Sequence, residues 1–332
     1  MIKLDAMENP YTWPQELLDE WSGIMADTNV NRYPDPAANT LKERLREAMN
    51  IPQDMSIILG NGSDEIIQMI AMALSGPDKT VLSVEPGFVM YRMIAVFCGM
   101  KYVGVPLKEK DFSLDYDAIK QAITEHQPAV VFLAYPNNPT GNLFNREQLI
   151  SIIKSAPGLV VIDEAYAPFT DESFIPLLGQ YSNLLVMRTV SKMGLAGLRL
   201  GLLAGPAQWL DEFDKVRLPY NINVLTQKTA DFALKHQAVF DAQTTQIREQ
   251  RTVMANALQQ MDGVTVYESD ANFILIRVAQ NKAETIFTGL KAQGILVKML
   301  SGSQPVLQDC LRITVGTAEE NSQFLSAFQS LI

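Results

Sequence analysis

Histidine and cysteine are scarce in this chain of 332 residues, which contains only two of each. Cys98 and Cys310 cannot supply a disulfide framework, and neither has a spacing typical of metal ligands, so we expect a reducing compartment and no metal site. With only His126 and His236 in the chain, a histidine-based catalytic triad is improbable. The chemistry of this protein must therefore rest on other side chains.

Positive charge and long apolar runs are lacking as well. The 27 Lys and Arg residues are outnumbered by 37 Asp and Glu, a net charge of −10, whereas proteins that follow a phosphate backbone or an anionic membrane carry the opposite sign. The longest apolar runs, such as residues 129–135, fall far short of the roughly 20 residues that span a bilayer. The N terminus does not resemble a signal peptide. We therefore expect a cytoplasmic protein that binds neither nucleic acid nor membranes.

Short β-branched runs alternate with amphipathic stretches in the middle of the chain. The strands that this pattern predicts cover residues 80–84, 102–105, 129–133, 159–162, 184–187 and 200–204. The predicted helices cover residues 64–74, 88–98, 115–125 and 145–154. Because strands and helices alternate in this way when helices cover both faces of a parallel sheet, the sequence predicts an α/β fold around a central, mostly parallel sheet.

The two ends of the chain differ from this middle part. The first thirty residues are rich in Pro, Trp and Asn and predict an extended arm followed by a short helix. The later predictions are a long helical stretch from about 222 through Gln260, strands near 264–267, 272–277 and 295–298, and a last helix after Thr317. We therefore predict an N-terminal arm (1–30), a large domain (31–218) and a smaller C-terminal α+β domain (219–332) that packs with the arm.

Polar residues follow three of the predicted strands. Asp163 ends one strand, Asn137 and Asn138 follow a second, and Lys192 follows a third. Ligands of open α/β sheets bind at the carboxyl ends of the strands, so these side chains are candidates for one site. Taken singly, each also fits a helix cap, a turn or a solvated strand end. Lysine, however, gives up its proton readily when it is desolvated or lies beside other cations, as a Schiff-base amine requires.

A fourth element, residues 59–65, opens a predicted helix with small residues. Backbone N–H groups at such a start can bind a phosphate, although Ser63-Asp64-Glu65 is also an ordinary helix start. Together, a phosphate-binding turn, an acid, an amide and a lysine with a nearby arginine are what pyridoxal phosphate requires. The lysine would hold the cofactor's aldehyde as an imine, and the acid would keep the pyridine nitrogen protonated so that the ring can accept electrons.

The chain resembles the fold-type I aminotransferases, and among them the histidinol-phosphate aminotransferases, from Leu4 to Thr317. The motifs that carry the resemblance occur in the family's order and are Pro136-Asn137-Asn138-Pro139-Thr140-Gly141, Asp163-Glu164-Ala165-Tyr166, Ser191-Lys192 with Leu195-Ala196-Gly197-Leu198-Arg199, and Leu311-Arg312-Ile313-Thr314-Val315-Gly316-Thr317. The resemblance implies a large pyridoxal-phosphate-binding domain, whose central, mostly parallel sheet is flanked by helices, and a smaller α+β domain.

The resemblance implies catalytic roles for Lys192, Asp163 and Tyr166. Lys192 would bind the cofactor covalently, and Asp163 would pair with its pyridinium nitrogen. Tyr166 and Asn138 would form hydrogen bonds with the ring hydroxyl oxygen. Phe88 falls where the family stacks an aromatic side chain on the ring, more often a tyrosine, and the substitution preserves the π face.

The resemblance also implies a binding site for the cofactor's phosphate. Its members would be the backbone at Gly62, Ser63 and Asp64, the hydroxyls of Thr189 and Ser191, and Arg199. The segment from Lys192 to Arg199 is one residue shorter than is usual in the family. Tyr33 matches the tyrosine that reaches the phosphate from the other subunit, which implies a homodimer with two shared sites.

Four residues are the implied contacts for small-molecule substrates, an amino donor and a 2-oxo acid. Arg312 matches the family's carboxylate-binding arginine, whose planar guanidinium suits a bidentate partner. Lys298 stands where many relatives have an arginine for the substrate phosphate, and lysine binds phosphate as a point charge. Met7 stands where the family commonly has asparagine, and Tyr11 completes the set.

The resemblance implies a transaminase of histidine biosynthesis, which interconverts histidinol phosphate and 2-oxoglutarate with imidazole-acetol phosphate and glutamate. An aromatic or broad-specificity amino-acid aminotransferase and a threonine-phosphate decarboxylase share the scaffold and cofactor residues, so the motifs leave both open. Lys298 and Arg312 favour a phosphorylated substrate, whereas the apolar Met7 keeps an aromatic substrate open. A non-catalytic effector domain of a transcription regulator would need a basic DNA-binding domain, for which this acidic chain has no room.

Overall fold

Two β-sheets and eleven α-helices form the fold in this computed structural model, which describes residues 1–332. The helices are α1 (Gln15–Ala26), α2 (Asn39–Ala48), α3 (Ser63–Ala73), α4 (Val89–Phe97), α5 (Tyr116–His126), α6 (Arg146–Ser155), α7 (Ala207–Asp214), α8 (Val224–Lys235), α9 (Gln237–Gln259), α10 (Ala283–Ala292) and α11 (Ala318–Gln329). The strands are β1 (Ile2–Leu4), β2 (Ser56–Asn61), β3 (Thr80–Glu85), β4 (Lys101–Pro106), β5 (Val130–Ala134), β6 (Leu159–Asp163), β7 (Leu184–Thr189), β8 (Leu200–Gly205), β9 (Thr265–Val266), β10 (Phe273–Arg277), β11 (Ile295–Met299) and β12 (Cys310–Thr314). None of the helices is both long enough and apolar enough to cross a bilayer.

The larger sheet has seven strands in the order β2-β8-β7-β6-β5-β3-β4. Strands β3 to β7 are parallel, and β8 runs antiparallel to its neighbours β2 and β7. Successive residues of β5 enter apolar clusters on opposite faces of the sheet, and every residue of β5 and β6 is buried, as expected when both faces are covered. The predicted α/β fold with a mostly parallel central sheet is confirmed, and the six predicted strands correspond to β3–β8.

The sequence prediction lacks β1, β2, β12, α2, α7 and α10, and it joins two helices that the structure separates. Strand β2 is absent from it, because the apolar run Ile57-Ile58-Leu59 is short and leads directly into the glycines of the following turn. The helical stretch predicted through Gln260 is divided into α8 and α9, since His236 between them has a non-helical backbone with φ −107° and ψ 31°. Phe240 and Ile247 lie on the buried face of α9.

The smaller sheet has five strands in the order β1-β11-β12-β10-β9. Strand β1 pairs in parallel with β11, and the other pairs are antiparallel. The start of the N-terminal arm is therefore a strand of this sheet. Further along the arm, the Met7 N–H donates to Thr314 Oγ1 at 2.9 Å, and the Met7 carbonyl accepts from Asn272 Nδ2 at 2.9 Å. The domain boundary at residues 218 and 219 stays a prediction, since Ala230 and Ala233 of α8 share a core with the larger sheet.

The register of the larger sheet brings the ends of five strands to one edge. Ala134 pairs with Asp163, and Asp163 pairs with Met187, so β5, β6 and β7 end at the same level. Because β8 is antiparallel, it starts at that edge, where Thr189 pairs with Gly201 and Asn61 pairs with Leu200. The turn after β2 and the residue before β8 therefore meet the ends of the parallel strands.

A buried ion pair joins the ends of β6 and β7 behind this edge. Arg188 donates to Glu164 Oε2 from Nε at 2.9 Å and from Nη2 at 2.7 Å. The Glu164 side chain is fully buried and the Arg188 side chain is 14% exposed. Glu164 also accepts from the hydroxyl of Ser173 and the N–H of Phe174, so hydrogen bonds from the protein stabilise its charge in place of water. This pair holds the residues next to Asp163 and Thr189 at a fixed separation.

We expect Arg188→Leu to lower the free energy of unfolding by about 3–5 kcal/mol, because it leaves the Glu164 carboxylate buried without its cation. Urea denaturation followed by circular dichroism measures this change. The matched control is Arg248→Leu, which breaks a bidentate pair with the largely exposed Asp171 and should lower it by less than about 1 kcal/mol. Equal losses in the two variants would show that the buried pair does not anchor the strand ends.

Candidate active site

Residues at the carboxyl edge of the larger sheet surround a cavity of about 120 Å³, which we call the inner cavity. It is lined by Met7, Ser63, Asp64, Phe88, Ala134, Asn138, Asp163, Ala165, Tyr166, Thr189, Ser191, Lys192 and Arg199. The structure thus brings together all the cofactor-binding residues predicted from the sequence except Gly62, which lies directly beneath this lining, and Tyr33. Its walls come from the ends of β5, β6 and β7, the start of α3 and the residue before β8.

Lys192 lies in a tight turn, Ser191–Leu195, that follows β7. The turn needs Gly194, whose φ of +127° is open to glycine alone. The side chain of Asn9 fixes this turn by donating to the carbonyl of Met193 at 3.0 Å. The Lys192 amine lies 5.7 Å from the centre of the Tyr166 ring. Its pKa is lowered to about 8, chiefly by burial and further by the charges of Arg312 and Arg199.

Asp163 ends β6 as a buried carboxylate. Its Oδ1 accepts from the N–H of Ala165 at 3.0 Å, and its Oδ2 accepts from the hydroxyl of Tyr91 at 2.6 Å. Burial raises the pKa of Asp163 to about 6, while the hydrogen bonds from Tyr91 and Ala165 act in the opposite direction. Asp163 is therefore mostly ionised at neutral pH. Tyr91 is absent from the predicted site residues, although it follows Phe88 by three positions in the predicted helix 88–98.

The turn between β2 and α3 forms an anion-binding cup. Gly62 caps α3 with φ +85°, and the backbone N–H groups of Ser63 and Asp64 donate to no other atom of the chain. Such free N–H groups at a helix start bind phosphate readily. Gly201 on β8 lets the cup lie close to the sheet, since a Cβ there would come within 2.7 Å of the Ser63 nitrogen.

Arg199 covers this cup. Its backbone has φ +48°, and its Nη2 lies 3.5 Å from Asp64 Oδ2. A Cβ on Gly62 would lie only 2.6 Å from the same Nη2, so the guanidinium lies directly over the glycine. The short segment after Lys192 therefore does not keep Arg199 away. The hydroxyls of Thr189 and Ser191 lie beside it, 2.8 Å apart, with Thr189 Oγ1 donating to the Leu200 carbonyl at 2.9 Å.

Asn138 links the inner cavity to Arg312. Arg312 Nη1 donates to Asn138 Oδ1 at 2.6 Å, and Nη2 donates to the carbonyl oxygen of Asp5 at 3.2 Å. The third guanidinium nitrogen, Nε, is buried and its N–H has no partner. The guanidinium lies over the Phe273 ring at 5.3 Å. Because a buried donor without a partner is costly, Arg312 is suited to an anionic group of a ligand.

A second space, the outer cavity, opens beside the first and has a volume of about 500 Å³. It is lined by Met7, Glu85, Pro86, Gly87, Phe88, Val89, Arg92, Tyr102, Asn138, Pro139, Lys298, Leu300, Ser303, Gln304, Leu307 and Arg312. The two cavities share Met7, Phe88 and Asn138, which form the border between them. Three cations, Arg92, Lys298 and Arg312, face the outer cavity, against one acid. Sequence analysis missed Arg92, for which no local signal exists.

Two predicted site residues lie apart from both cavities. Tyr11 lines neither, and burial together with the charges of Glu320 and Glu249 raises its pKa. Tyr33 is 81% exposed and stacks on Tyr220 with ring centres 4.4 Å apart. The roles of Tyr11 as a substrate contact and of Tyr33 as a contact with a partner subunit's cofactor stay predictions.

The inner cavity fits pyridoxal phosphate on the evidence of its own atoms. An anion-binding cup with unpaired N–H groups and a covering arginine matches the phosphate. Lys192, with a pKa of about 8, supplies an amine that is easily made neutral, and the buried Asp163 supplies a carboxylate for the ring nitrogen.

The fold and this cavity define an α/β enzyme of the kind that carries pyridoxal phosphate at the carboxyl edge of its sheet. The family model described as aminotransferase class I and II matches residues 1–328. The chain belongs to this family, whose members depend on pyridoxal phosphate.

More particular similarities run over almost the entire chain. It is 56% identical to a protein named histidinol-phosphate aminotransferase 2 from Nitrosococcus oceani, over 99% of this chain and 91% of the relative. Two crystal structures of histidinol-phosphate aminotransferases share the fold. One, from Clostridium acetobutylicum, has a TM-score of 0.90 and 24% identity over 99% of this chain and 98% of that one. The other, from Sinorhizobium meliloti in complex with pyridoxal-5′-phosphate, has a TM-score of 0.89 and 23% identity over 99% and 90%.

We expect the Lys192 amine of the cofactor-free protein to react with trinitrobenzenesulfonate at half its maximal rate near pH 8. Only the neutral amine is a nucleophile, and the buried ammonium gives up its proton at this lower pH, whereas ordinary exposed lysines require pH values above 10. Peptide mapping by mass spectrometry over pH 6–11 gives both profiles in one experiment. Labelling of Lys192 in parallel with the exposed lysines would contradict the assignment of a lowered pKa.

Proposed function

We propose that the protein is a histidinol-phosphate transaminase, which interconverts histidinol phosphate and 2-oxoglutarate with imidazole-acetol phosphate and glutamate. The observation that carries this proposal is the pair of adjoining cavities, one with the groups for pyridoxal phosphate and one with three cations for an anionic substrate. The name and the 56% identity of the relative from Nitrosococcus oceani support it. The reaction belongs to histidine biosynthesis, and we propose that the protein works in the cytoplasm.

Each residue of the inner cavity has a separate role in the proposed transamination. Pyridoxal phosphate supplies, when bound, an aldehyde that takes up the amino group and a ring that withdraws electrons. Lys192 would move a proton to and from the substrate carbon as general base and acid, for which a pKa of about 8 is suitable. Asp163 would hold the proton on the ring nitrogen, and Asn138 and Tyr166 would bind the ring hydroxyl oxygen. Phe88 would cover the ring, and the cup at Ser63 with Arg199 would bind the phosphate.

Arg312 is the group best placed to bind both substrates. Its Nη atoms are held by Asn138 and Asp5, so the guanidinium has a fixed orientation, and its unpaired Nε awaits an acceptor. In one half-reaction the acceptor is the phosphate of histidinol phosphate. In the other it is a carboxylate of glutamate or 2-oxoglutarate, which has similar geometry and the same sign of charge.

Lys298 and Arg92 favour a phosphorylated substrate. Lys298 is the register partner of Arg312 on the neighbouring strand, and Arg92 extends from α4 into the same outer cavity. The Arg92 guanidinium is 3.8 Å from Glu85 and its side chain is 65% exposed, so this loose pair leaves it available to a dianion. An aromatic substrate is the second candidate, because Met7 and Phe88 make the border between the cavities apolar.

We also propose that the protein is a homodimer. Tyr33, Val30 and Leu218 are 81%, 71% and 70% exposed, and large apolar side chains exposed to this extent suggest a surface that another chain covers. Tyr33 stacks on Tyr220 with ring centres 4.4 Å apart and lines neither cavity of its own chain. Sedimentation equilibrium measures the assembly directly.

The first test compares substrates on the enzyme loaded with pyridoxal phosphate. Loss of the cofactor's visible absorbance band should require far less histidinol phosphate than phenylalanine or threonine phosphate. Lys192→Ala should fold and lose turnover by several orders of magnitude, because it removes both the covalent anchor and the proton carrier, while Lys291→Ala on the exposed side of α10 should retain it. Preference for phenylalanine would favour the aromatic aminotransferase, release of carbon dioxide from threonine phosphate would favour the decarboxylase, and near-normal activity of Lys192→Ala would contradict its role.

A second test separates the two half-reactions. We expect Lys298→Met and Arg92→Met each to raise the KM for histidinol phosphate by about 10–100-fold, since a hydrogen bond to a charged group contributes roughly 1.5–3 kcal/mol. The KM for glutamate should change little, because Arg312 remains. Lys291→Met is the control for loss of a positive charge. An equal rise in both KM values would mean that the outer cavity does not select the phosphate.

A further inference from the structure

Tyr91 is a buried residue with an unusual position beside the inner cavity. It lies on α4, it is 1% exposed, and its hydroxyl donates to Asp163 Oδ2 at 2.6 Å. Its ring is stacked on Phe132 with centres 4.9 Å apart and an interplanar angle of 11°. Its edge meets the Phe88 ring at 5.4 Å and 84°. Tyr91 itself does not line the inner cavity.

We propose that Tyr91 is a positioning residue that orients the Asp163 carboxylate toward the ring nitrogen of pyridoxal phosphate and keeps it ionised. This inference rests on the proposed role of Asp163 toward the cofactor. Phe132 and Phe88 hold the Tyr91 ring from two sides, so the hydroxyl has little freedom to leave Oδ2. The other carboxylate oxygen is held by the N–H of Ala165. Two donors from different elements, α4 and the turn after β6, therefore fix the plane of the carboxylate.

The environment of Asp163 shows why the hydroxyl matters. A buried carboxylate without donors takes up a proton, because burial disfavours its charge. The titratable groups that face Asp163 are Asp64 and Glu164, whose charges oppose its ionisation, Lys192, whose charge favours it, and the hydroxyls of Tyr91 and Tyr166. Tyr91 is the side chain that forms a hydrogen bond with the carboxylate. Loss of this donor therefore raises the pKa of Asp163, because burial and the two nearby acids act against its ionisation.

Packing does not account for a tyrosine at this position. A phenylalanine would make the same stack with Phe132 and the same edge contact with Phe88. The hydroxyl adds a polar group in a fully buried place, which is unfavourable unless it has a partner. Its partner is the Asp163 carboxylate. The hydroxyl is therefore explained by what it does to Asp163.

The test is Tyr91→Phe, measured as the affinity of the cofactor-free protein for pyridoxal phosphate between pH 5 and 9, by quenching of intrinsic fluorescence. In the wild type, affinity should fall as the pH drops through about 6, where Asp163 takes up a proton. In Tyr91→Phe the pKa of Asp163 is higher, so the fall should begin at higher pH. We also expect the Kd at pH 7.5 to rise about tenfold, the value of one hydrogen bond to a charged group.

The matched control is Tyr116→Phe, which removes a hydroxyl that lies 2.5 Å from Ser151 Oγ, between α5 and α6. It should leave the Kd and its pH midpoint unchanged. A Tyr91→Phe protein with lowered thermal stability but a wild-type Kd and midpoint would overturn the proposal, because a structural role predicts that pattern. In an Asp163→Asn background, Tyr91→Phe should have no further effect on the Kd, since the two residues act through one contact.

A second variant covers the case in which Tyr91→Phe fails to fold. Incorporation of 3-fluorotyrosine at position 91 keeps the shape and makes the hydroxyl a stronger donor, so the pH midpoint should move down. An unmoved midpoint would overturn the proposal for Tyr91 alone, because wild-type binding would still be present. Absence of pyridoxal phosphate binding in the wild type would overturn both this proposal and the proposed function.

Discussion

The register of three parallel strands is the constraint on which the site depends. Ala134, Asp163 and Met187 lie at one level, so the residues that follow β5, β6 and β7 emerge together at one edge. Hydrogen bonds along the buried strands set this level, and a slip by one residue would turn each side chain to the opposite face. The antiparallel β8 then brings Arg199 to the same edge from the other direction.

Burial at this edge shifts the pKa values of two groups of opposite charge. It lowers the pKa of Lys192 and raises that of Asp163, since low polarity disfavours both charges. The neighbouring groups then act differently on the two pKa values. Arg312 and Arg199 push Lys192 further toward the neutral amine, whereas the hydroxyl of Tyr91 pulls Asp163 back toward the carboxylate. The cavity thus holds a latent nucleophile and an ionised acid at the same pH, as the proposed transamination requires.

The N-terminal segment connects the smaller sheet to this chemistry. Strand β1 is held by β11, and Met7 is held through both its N–H and its carbonyl. Its side chain then borders both cavities, and Asn9 holds the turn that carries Lys192. Lys298 and Arg312 come from adjacent strands of the same sheet. The residues proposed to bind the substrate and the cofactor therefore lie on two sheets, which the segment from Ile2 to Asn9 connects.

The sequence by itself determined the α/β class, the strands β3 to β8 and the placement of Asp163, Asn138 and Lys192 at the ends of strands. Those features are local: an apolar run ends, and a polar residue follows within a few positions. Only the tertiary structure decided that Arg199 reaches over Gly62, that Tyr91 contacts Asp163 and that Arg92 shares a cavity with Lys298. These pairs lie 72 to 206 positions apart or depend on one backbone angle. Periodicity describes which face a residue takes on its own element, but the distance between faces is set by how the elements pack.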